Sequence, residues 1–437
     1  MTKDKEKYTK IGINTNSIYF KNWFNSGLLN DVDEAFALDV QKFWMDNYDT
    51  KVDPTLHMAF MNLTGQKSSR LIPRDILNKE IYPVFNDYGV TSYYGDKNIY
   101  GTMIKPPYAP ETIIRKIGGN FFDSDYNPID FENAHSILLN YNTDMVIKPS
   151  KSNNGRGVAK FSIRDNKVYF NEKSISFIDL LKIYNKDFII QQAIEQHPDI
   201  AAPHPSSVNT IRIVTFRWKG EIRYLFAFAR FGINNDIRDN ATVDLSPAVG
   251  ITDSGDFFDV GINKDGQTFT HHPTTNFCFA DLNPIPNYEE FKQFIKDSHK
   301  DFIHLDIISW DIAVGLDGKP IILECNFAGS TPFYQMVSQK PFFGDLTEEV
   351  LEYIRSEWKS RKPLLMKKHR KKTKTMTKTK TNQENTKKLK KQNQLLQHQL
   401  EIQEKELRQL DDKYRAILNS KSFRYTRPLR KISKKIK

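Results

Sequence analysis

Residues 309–326 read SWDIAVGLDGKPIILECN, two apolar runs hinged on Asp317-Gly318. An Asp-Gly pair between such runs predicts a β-hairpin with a two-residue turn, because Gly supplies the positive φ that a primed turn requires. That turn sets a register in which Leu316 faces Lys319, Asp311 faces Glu324 and Ser309 faces Asn326. On the other side of the sheet Trp310 meets Cys325, Ile312 meets Leu323 and Val314 meets Ile321, all apolar. One register thus separates a buried face from a polar one. Two carboxylates directly across a ladder repel, so Asp311 and Glu324 need a shared proton, a bound cation or a neighbouring arginine. Asn326 adds a neutral oxygen on the same face. Three hard oxygen donors with room for water and phosphate suit Mg²⁺, and Asp311, Glu324 and Asn326 are the expected metal ligands.

Working upstream, Asp144-Met-Val-Ile-Lys-Pro149 reads as a strand and Ser150-Lys-Ser-Asn-Asn-Gly-Arg-Gly157 as a flexible loop, after which Val158–Ile163 resumes as a strand. Glycines let backbone N–H groups approach phosphate oxygens, and Lys148 at the strand end supplies a point charge. The loop is neither a Walker A sequence nor the G-x-G-x-x-G of a dinucleotide fold; taken alone it also reads as a long hairpin turn. Between loop and hairpin lies Asp187-Phe-Ile-Ile-Gln-Gln-Ala193, a buried strand that turns polar. Its edge beyond Ile190 can offer backbone groups to a base, and an acidic residue such as Glu195 or Asp199 can hold ribose hydroxyls; a core strand running into a surface loop accounts for it equally well. Asn209 and Arg212 interrupt the strand-like run Ser207–Thr215, and Arg230 interrupts another. A half-buried Arg needs an anionic partner, protein carboxylate or phosphate. Asp239-Asn240 follows in a turn.

The net charge of +11 belongs to the end of the chain. Residues 361–437 hold 26 Lys and Arg against 6 Asp and Glu, leaving 38 against 47 in residues 1–360, so the body is acidic and a nucleic-acid partner is disfavoured. No run of about 18 apolar residues occurs, the N-terminal segment is charged, and Cys278 and Cys325 are the two cysteines. These features predict a cytoplasmic chain without a disulfide framework. The expected organisation is an N-terminal helical or irregular region over 1–90, a catalytic region over 91–345, a closing helix at 346–361, a Lys/Thr-rich linker at 362–386, a coiled coil at 387–418 and a basic tail at 419–437. The coiled coil follows from a 4-3 apolar repeat through Leu389, Leu396, Leu400, Leu407, Leu410 and Ile417, with Asn393 at an a position favouring a parallel homodimer; a lone amphipathic helix is the alternative. The tail offers contact with the inner membrane face or with a glycosyltransferase.

In this order the features resemble the ATP-grasp superfamily. Lys97, in Asp96-Lys97-Asn98, looks like its first phosphate lysine and Lys148 like its second. The covering loop would contribute Ser150, Ser152, Asn153, Gly155, Arg156 and Gly157. IIQQAIE is similar to the adenine-binding strand, implying nucleotide contacts from Gln191, Gln192, Ala193 and Glu195, with Asp199 beyond. SSVNTIRIVTF, ARFG and the Asp239-Asn240 pair look like the sugar-transfer associated ATP-grasp family, found with polysaccharide-synthesis enzymes. The resemblance covers roughly 50–345. It implies an α+β fold of two lobes with ATP and Mg²⁺ between them, catalysis by Lys148, Arg212 and Arg230, and acceptor contacts from Asn209, Arg212, Asp239 and Asn240. Two departures stand out. Ser309 occupies the position where many of these ligases carry an Arg, so Arg212 or Arg230 must stabilise the transferring phosphoryl group. Ala241–Gly250 replaces the paired glycines usual after the Asp-Asn element. The expected function is a carboxylate–amine ligase; a small-molecule kinase and a coiled-coil scaffold of a glycan-synthesis complex are the alternatives.

Overall fold

Strand IISWDIAV at 307–314 is buried along its whole length, and a strand with no wet face must be covered on both sides. It lies inside an antiparallel sheet whose two faces carry separate apolar clusters. A computed structural model of the chain describes residues 2–357 apart from 105, 142, 153–154, 166, 171–172, 235, 240–245 and 330. The expected linker, coiled coil and basic tail lie outside the described residues, as do Asn153, Asn240 and residues 241–245 of the stretch that replaces the paired glycines.

The described residues form two sheets. The first contains β1 (Thr112–Ile117), β2 (Asn120–Phe122), β3 (Pro128–Ile129), β4 (Met145–Pro149), β5 (Ala159–Arg164), β6 (Lys167–Phe170), β7 (Lys173–Ile175) and β8 (Phe188–Gln192), in the order β3-β2-β1-β8-β4-β5-β6-β7. The second contains β9 (Thr210–Trp218), β10 (Glu221–Arg230), β11 (Ala248–Ile251), β12 (Phe257–Ile262), β13 (Thr268–Phe269), β14 (Ile307–Val314) and β15 (Pro320–Asn326), in the order β13-β12-β11-β10-β9-β14-β15. With helices packed on both sheets this is the expected α+β arrangement.

Alternation along the second sheet sorts its side chains. Ile211, Ile213, Trp310 and Ile312 point to one cluster with Phe291 and Ile295 of the helix Tyr288–His299. Val214, Phe216 and Phe228 point to the other, where Phe85, Tyr334 and Phe343 pack on them and the same cluster extends to Trp44 of the helix Glu34–Tyr48 and Phe60 of the helix Thr55–Thr64. Each such buried side chain is worth about 2 kcal/mol of transfer free energy. Residues 1–90 are therefore not an appendage: their helices share the apolar core on one face of the sheet that carries the acidic hairpin. A third cluster, around Ile147, Phe161 and Ile190, is the core of the first sheet. Strands β1–β3 precede the point, Asp144, at which the sequence reading begins its strands. Gly118 and Gly119, both at positive φ, turn β1 into β2, but Arg115 and Lys116 break the apolar alternation just before them. Arg115 is buried, stacked 3.9 Å from the Tyr126 ring, with Nη1 donating to the Asp123 and Ser124 carbonyls at 2.9 Å each.

The hairpin departs from the expected turn in an instructive way. Gly315 and Lys319 close the loop, Gly318 N–H donates to the Gly315 carbonyl at 2.9 Å, and Gly318 has φ +75. Leu316, Asp317 and Gly318 thus form a three-residue loop, the type I turn plus left-handed Gly that ranks next to the two-residue turns in hairpins. The register near the turn is displaced by one, pairing Ile312 with Ile322 and Val314 with Pro320. A bulge at Leu323 takes up the extra residue, so that Asp311 still pairs with Glu324, Trp310 with Cys325 and Ser309 with Asn326. Both cysteines are free. Among the described residues no helix is long and apolar enough to cross a membrane.

Candidate active site

Register alone assembles the charged centre. On β14, Asp311 pairs with Glu324 of β15 on one side and with Arg212 of β9 on the other. Arg212 Nε donates to Asp311 Oδ1 at 2.7 Å and Nη2 donates to Oδ2 at 2.6 Å, a bidentate pair. Arg230, at the end of β10, approaches Asp311 Oδ2 at 3.2 Å and Asp239 Oδ2 at 2.9 Å. Thr210 joins this cluster by donating its hydroxyl to Asp239. Asn326 Nδ2 donates to Asp311 Oδ2 at 3.0 Å. Glu324 sits 3.6 Å from the ammonium of Lys97. The two facing carboxylates are therefore offset within the protein by guanidinium on one side and ammonium on the other, the neighbouring-arginine alternative among those the sequence left open.

Burial raises the Asp311 carboxyl, but Arg212 and Arg230 outweigh it and hold the group below the usual carboxylate range. Glu324 goes the other way: burial pushes it up, helped by the charge of Asp311 and opposed by Lys97. Asp239 is likewise raised by burial despite Arg230. The donor set fits Mg²⁺: Asp311 and Glu324 are hard carboxylates, and Asn326, with its nitrogen engaged by Asp311, keeps its carbonyl oxygen as the ligand end. Among the described residues no cluster of three or more His, Cys, Asp or Glu forms a metal cage, so Asn326, water and phosphate would complete the shell.

These groups line a cavity of about 580 Å³ between the two sheets. Lys97 opens the helix Lys97–Met103, which Asp96 caps by accepting the Asn98 N–H at 3.0 Å. Its Nζ donates to the Ser152 carbonyl at 3.0 Å, tying the helix to the glycine-containing loop. Lys148 projects from β4 into the same cavity. Burial, and then the charge of Lys97, push its ammonium down to about 8, with Glu324 pulling the other way.

Of the residues expected to contact nucleotide, Lys97, Lys148, Gly155, Gln192 and Ala193 border this cavity. Ser150 is buried behind the wall, its carbonyl accepting the Lys97 N–H at 2.9 Å. Ser152 acts through its carbonyl rather than its hydroxyl, and Arg156 and Gly157 are exposed outside the lining. Gln191 borders an adjoining cavity of about 380 Å³ that shares Lys97, Pro110 and Leu323 with the first. Glu195 is exposed, and Asp199 lies in the short helix Pro198–Ala201, its N–H donating to His197 Nδ1 at 3.4 Å; neither reaches the lining, where Ile194 and Gln196 stand instead. Asn209 is a correction to the substrate set: fully buried, it donates to the Ile200 carbonyl at 2.8 Å and accepts from Ser207 at 2.8 Å, so its polar atoms face the protein. Arg212, Arg230 and Asp239 do border the cavity.

Among the lining residues that sequence reasoning missed, Tyr334, Leu323, Arg238 and Lys264 bear most on the chemistry. Tyr334 accepts from Arg212 Nη1 at 2.7 Å. Leu323 reaches the cavity because of the bulge, which turns it away from Ile312. Arg238 pairs with Asp236 at 2.7 Å and reaches the Gly155 carbonyl at 3.3 Å, tying its turn to the loop. Lys264 enters from the turn after β12. Arg238 and Lys264 sit beside Asp236 and Asp265 in ordinary turn sequences, which carry no signal of a site.

Among solved structures the chain is similar to the D-alanine–D-alanine ligase from Bacillus anthracis, at 14% identity over 62% of this chain and 72% of that one, with a TM-score of 0.35. It is similar to the D-alanine–D-alanine ligase from Coxiella burnetii at 10% identity, over 65% and 64%, TM-score 0.36. The biotin carboxylase domain of the Hydrogenobacter thermophilus 2-oxoglutarate carboxylase matches at 13% identity, over 62% and 48%, TM-score 0.36. No curated protein matches the chain. A family model matches residues 77–350, more than half of the sequence, and by that match the chain belongs to the sugar-transfer associated ATP-grasp family.

Proposed function

We propose that this protein is an ATP- and Mg²⁺-dependent ligase that activates a carboxylate as an acyl phosphate and joins it to an amine, in the making of a surface polysaccharide. The reading rests on one juxtaposition: Lys97 and Lys148 share a cavity with Asp311, Glu324 and Asn326. Membership of a sugar-transfer associated family supports the polysaccharide setting.

In this reading the triphosphate lies between the two lysines and the loop that carries Gly155, with the base toward Val146, Leu323 and the chain at Gln192–Ile194. Asp311, Glu324 and Asn326 would hold Mg²⁺, whose charge offsets that of the phosphate oxygens. Arg230, whose Nη1 has no partner among the described residues, is aimed at the anionic acceptor and at charge developing on the transferred group. Arg212, locked on Asp311 and Tyr334, holds the carboxylate in place. A carboxylate oxygen of the acceptor forms a bond to the γ-phosphorus as the bond to ADP breaks. The amine nitrogen then bonds to the acyl carbon, the C–O bond breaks, and inorganic phosphate leaves with that electron pair while the amine loses a proton. No enzyme nucleophile is required; positioning and charge stabilisation supply the catalysis.

The test is ADP release by the full chain across amino acids and uronic acids, with and without hydroxylamine. A hydroxamate marks the acyl phosphate. Phosphorylated acceptor with no hydroxamate would make the enzyme a kinase. Lys148→Ala should lose roughly a hundredfold or more in turnover; wild-type turnover in that variant rejects the nucleotide site.

A further inference from the structure

The cations that line the main cavity are almost all neutralised within the protein. Lys97 has Glu324 at 3.6 Å, Lys160 has Asp144 at 2.7 Å, Arg212 has Asp311 at 2.6 Å, Arg230 has Asp239 at 2.9 Å and Arg238 has Asp236 at 2.7 Å. Two ammonium groups of the lining have no carboxylate within ion-pair distance among the described residues: Lys148, which the triphosphate takes in the proposed function, and Lys264.

Lys264 is held where it is by unusual means. Its turn, Asn263–Gln267, is organised by the buried Asn263 side chain, whose Oδ1 accepts from the Asp265 and Gln267 N–H groups at 3.0 Å each while Nδ2 donates to Gln267 Oε1 at 2.8 Å. The turn is then gripped from outside by the helix Ile18–Asn25 and the residues after it. Asn22 donates to the Asp265 carboxylate. Gly266, at φ +87, packs so closely that a Cβ there would meet Trp23 Cδ1 at 2.6 Å, Ser26 Oγ at 2.8 Å and Leu28 Cδ1 at 2.9 Å. All of these gripping residues precede the region, 77–350, that the family model matches. The grip thus comes from this chain's N-terminal region, outside the matched residues.

The sheet measures how far Lys264 stands from the reacting centre. Arg230 on β10 pairs with Ala248 on β11, which pairs with Ile262 on β12, two residues before Lys264. Two strand spacings give roughly 10 Å between the backbones of Arg230 and Ile262, and Lys264 follows two residues further on.

We propose that Lys264 recognises a second anionic group on the acceptor, about 10 Å from the carboxylate to be activated, and that the N-terminal helical region exists in part to hold it there. The inference rests on the ligase reading for the identity of the first carboxylate. The acceptor class it names is a carboxylate with a phosphate or second carboxylate at its far end, the length of a phosphorylated sugar acid.

Calorimetric binding tests this without requiring turnover. The full chain, saturated with Mg²⁺ and a non-hydrolysable ATP analogue, is titrated with 6-phosphonohexanoate and with hexanoate. An exposed lysine pairing with the phosphonate should favour the first on the order of fivefold, a preference that salt reduces. Lys264→Met should abolish the preference. Gly266→Ala, which forces the turn off the N-terminal helix, should abolish it too, with thermal unfolding confirming that the chain remains folded. Equal affinities in the wild type, or a preference that survives Lys264→Met, overturns the inference; a preference kept in Gly266→Ala overturns the role of the N-terminal region. If the preference follows these variants but no hydroxamate forms with any acceptor, the second anion site stands and the ligase reading falls.

Discussion

Raising the pH should weaken nucleotide binding, and Lys148 should be the reason. An ordinary lysine titrates at 10.5; burial and then the charge of Lys97 push this one down to about 8, with Glu324 opposing. The difference corresponds to about 3 kcal/mol disfavouring the ammonium in the free protein. Lys148 is then about nine-tenths protonated at pH 7 and about one-tenth at pH 9. Phosphate oxygens beside Nζ favour the charged form, so the value rises in the complex. The sign follows: below about pH 8 the lysine is already charged and affinity is level; above it, binding must take up a proton. Affinity for Mg-ATP should fall about tenfold per pH unit from pH 8 toward the raised value. Calorimetric titrations between pH 7 and 9.5, in two buffers of different ionisation enthalpy, measure both quantities. Proton uptake should be about one-half at pH 8 and approach one above pH 9. In Lys148→Met the uptake and the slope should vanish together, on a background of weaker binding. Level affinity to pH 9.5 in the wild type, or a slope that survives in Lys148→Met, would refute the reasoning.

Gly157 holds φ +74, and a Cβ there would meet Pro149 Cγ at 2.8 Å; Gly157→Ala should displace the covering loop and weaken nucleotide affinity roughly tenfold, and unchanged binding would remove the loop from the site. His57 and His299 are both pushed down to about 4 by burial. Because the unfolded chain takes up those protons between pH 6.5 and 4 and the folded chain does not, stability should fall as pH drops through that window, by up to about 3 kcal/mol for each histidine; pH-dependent denaturant midpoints check this, and a flat profile contradicts it. All lining residues of the main cavity precede residue 335, so a chain ending at residue 361 should keep its ADP-release rate, and loss of turnover on that truncation would mean that the C-terminal region takes part in the chemistry.

The acidic pairing was legible because two errors of one residue cancel. Counting outward from Asp317-Gly318 assumes a two-residue turn, whereas the loop holds three residues and the bulge at Leu323 returns the strands to step. Period-two reasoning carries side-chain direction but is blind to a paired insertion, which is why Leu323 was assigned to the apolar face with Ile312 and instead borders the cavity. The arginines were legible for a sounder reason. A guanidinium in a strand needs an anion, and Arg212 and Arg230 found one in Asp311 itself. Asn209 misled because a polar residue at the start of a strand reads the same whether it faces a ligand or its own backbone; here it fastens the segment Ile200–His204.

The wall expected to hold the base exposes a deeper limit. Gln191 and Gln192 alternate as strand residues must, so one faces the adjoining cavity and the other the main one, while Ile194 and Gln196 continue the lining past the end of β8. Side-chain identity says little at such an edge, because a base can be held there by backbone groups that every residue carries. Charge is different. Lys97, Lys148, Asp311 and Glu324 are costly to bury without partners, so each marks its position in the sequence, and the fold brings all four to one cavity. The charged centre of this site is therefore written in residues that stand out, and the wall at Arg238 and Lys264 in turns that do not. Lys264 belongs to the second kind: its place on the cavity wall and the close packing of Gly266 on Trp23, both invisible without coordinates, distinguish it from the other lysines of the surface.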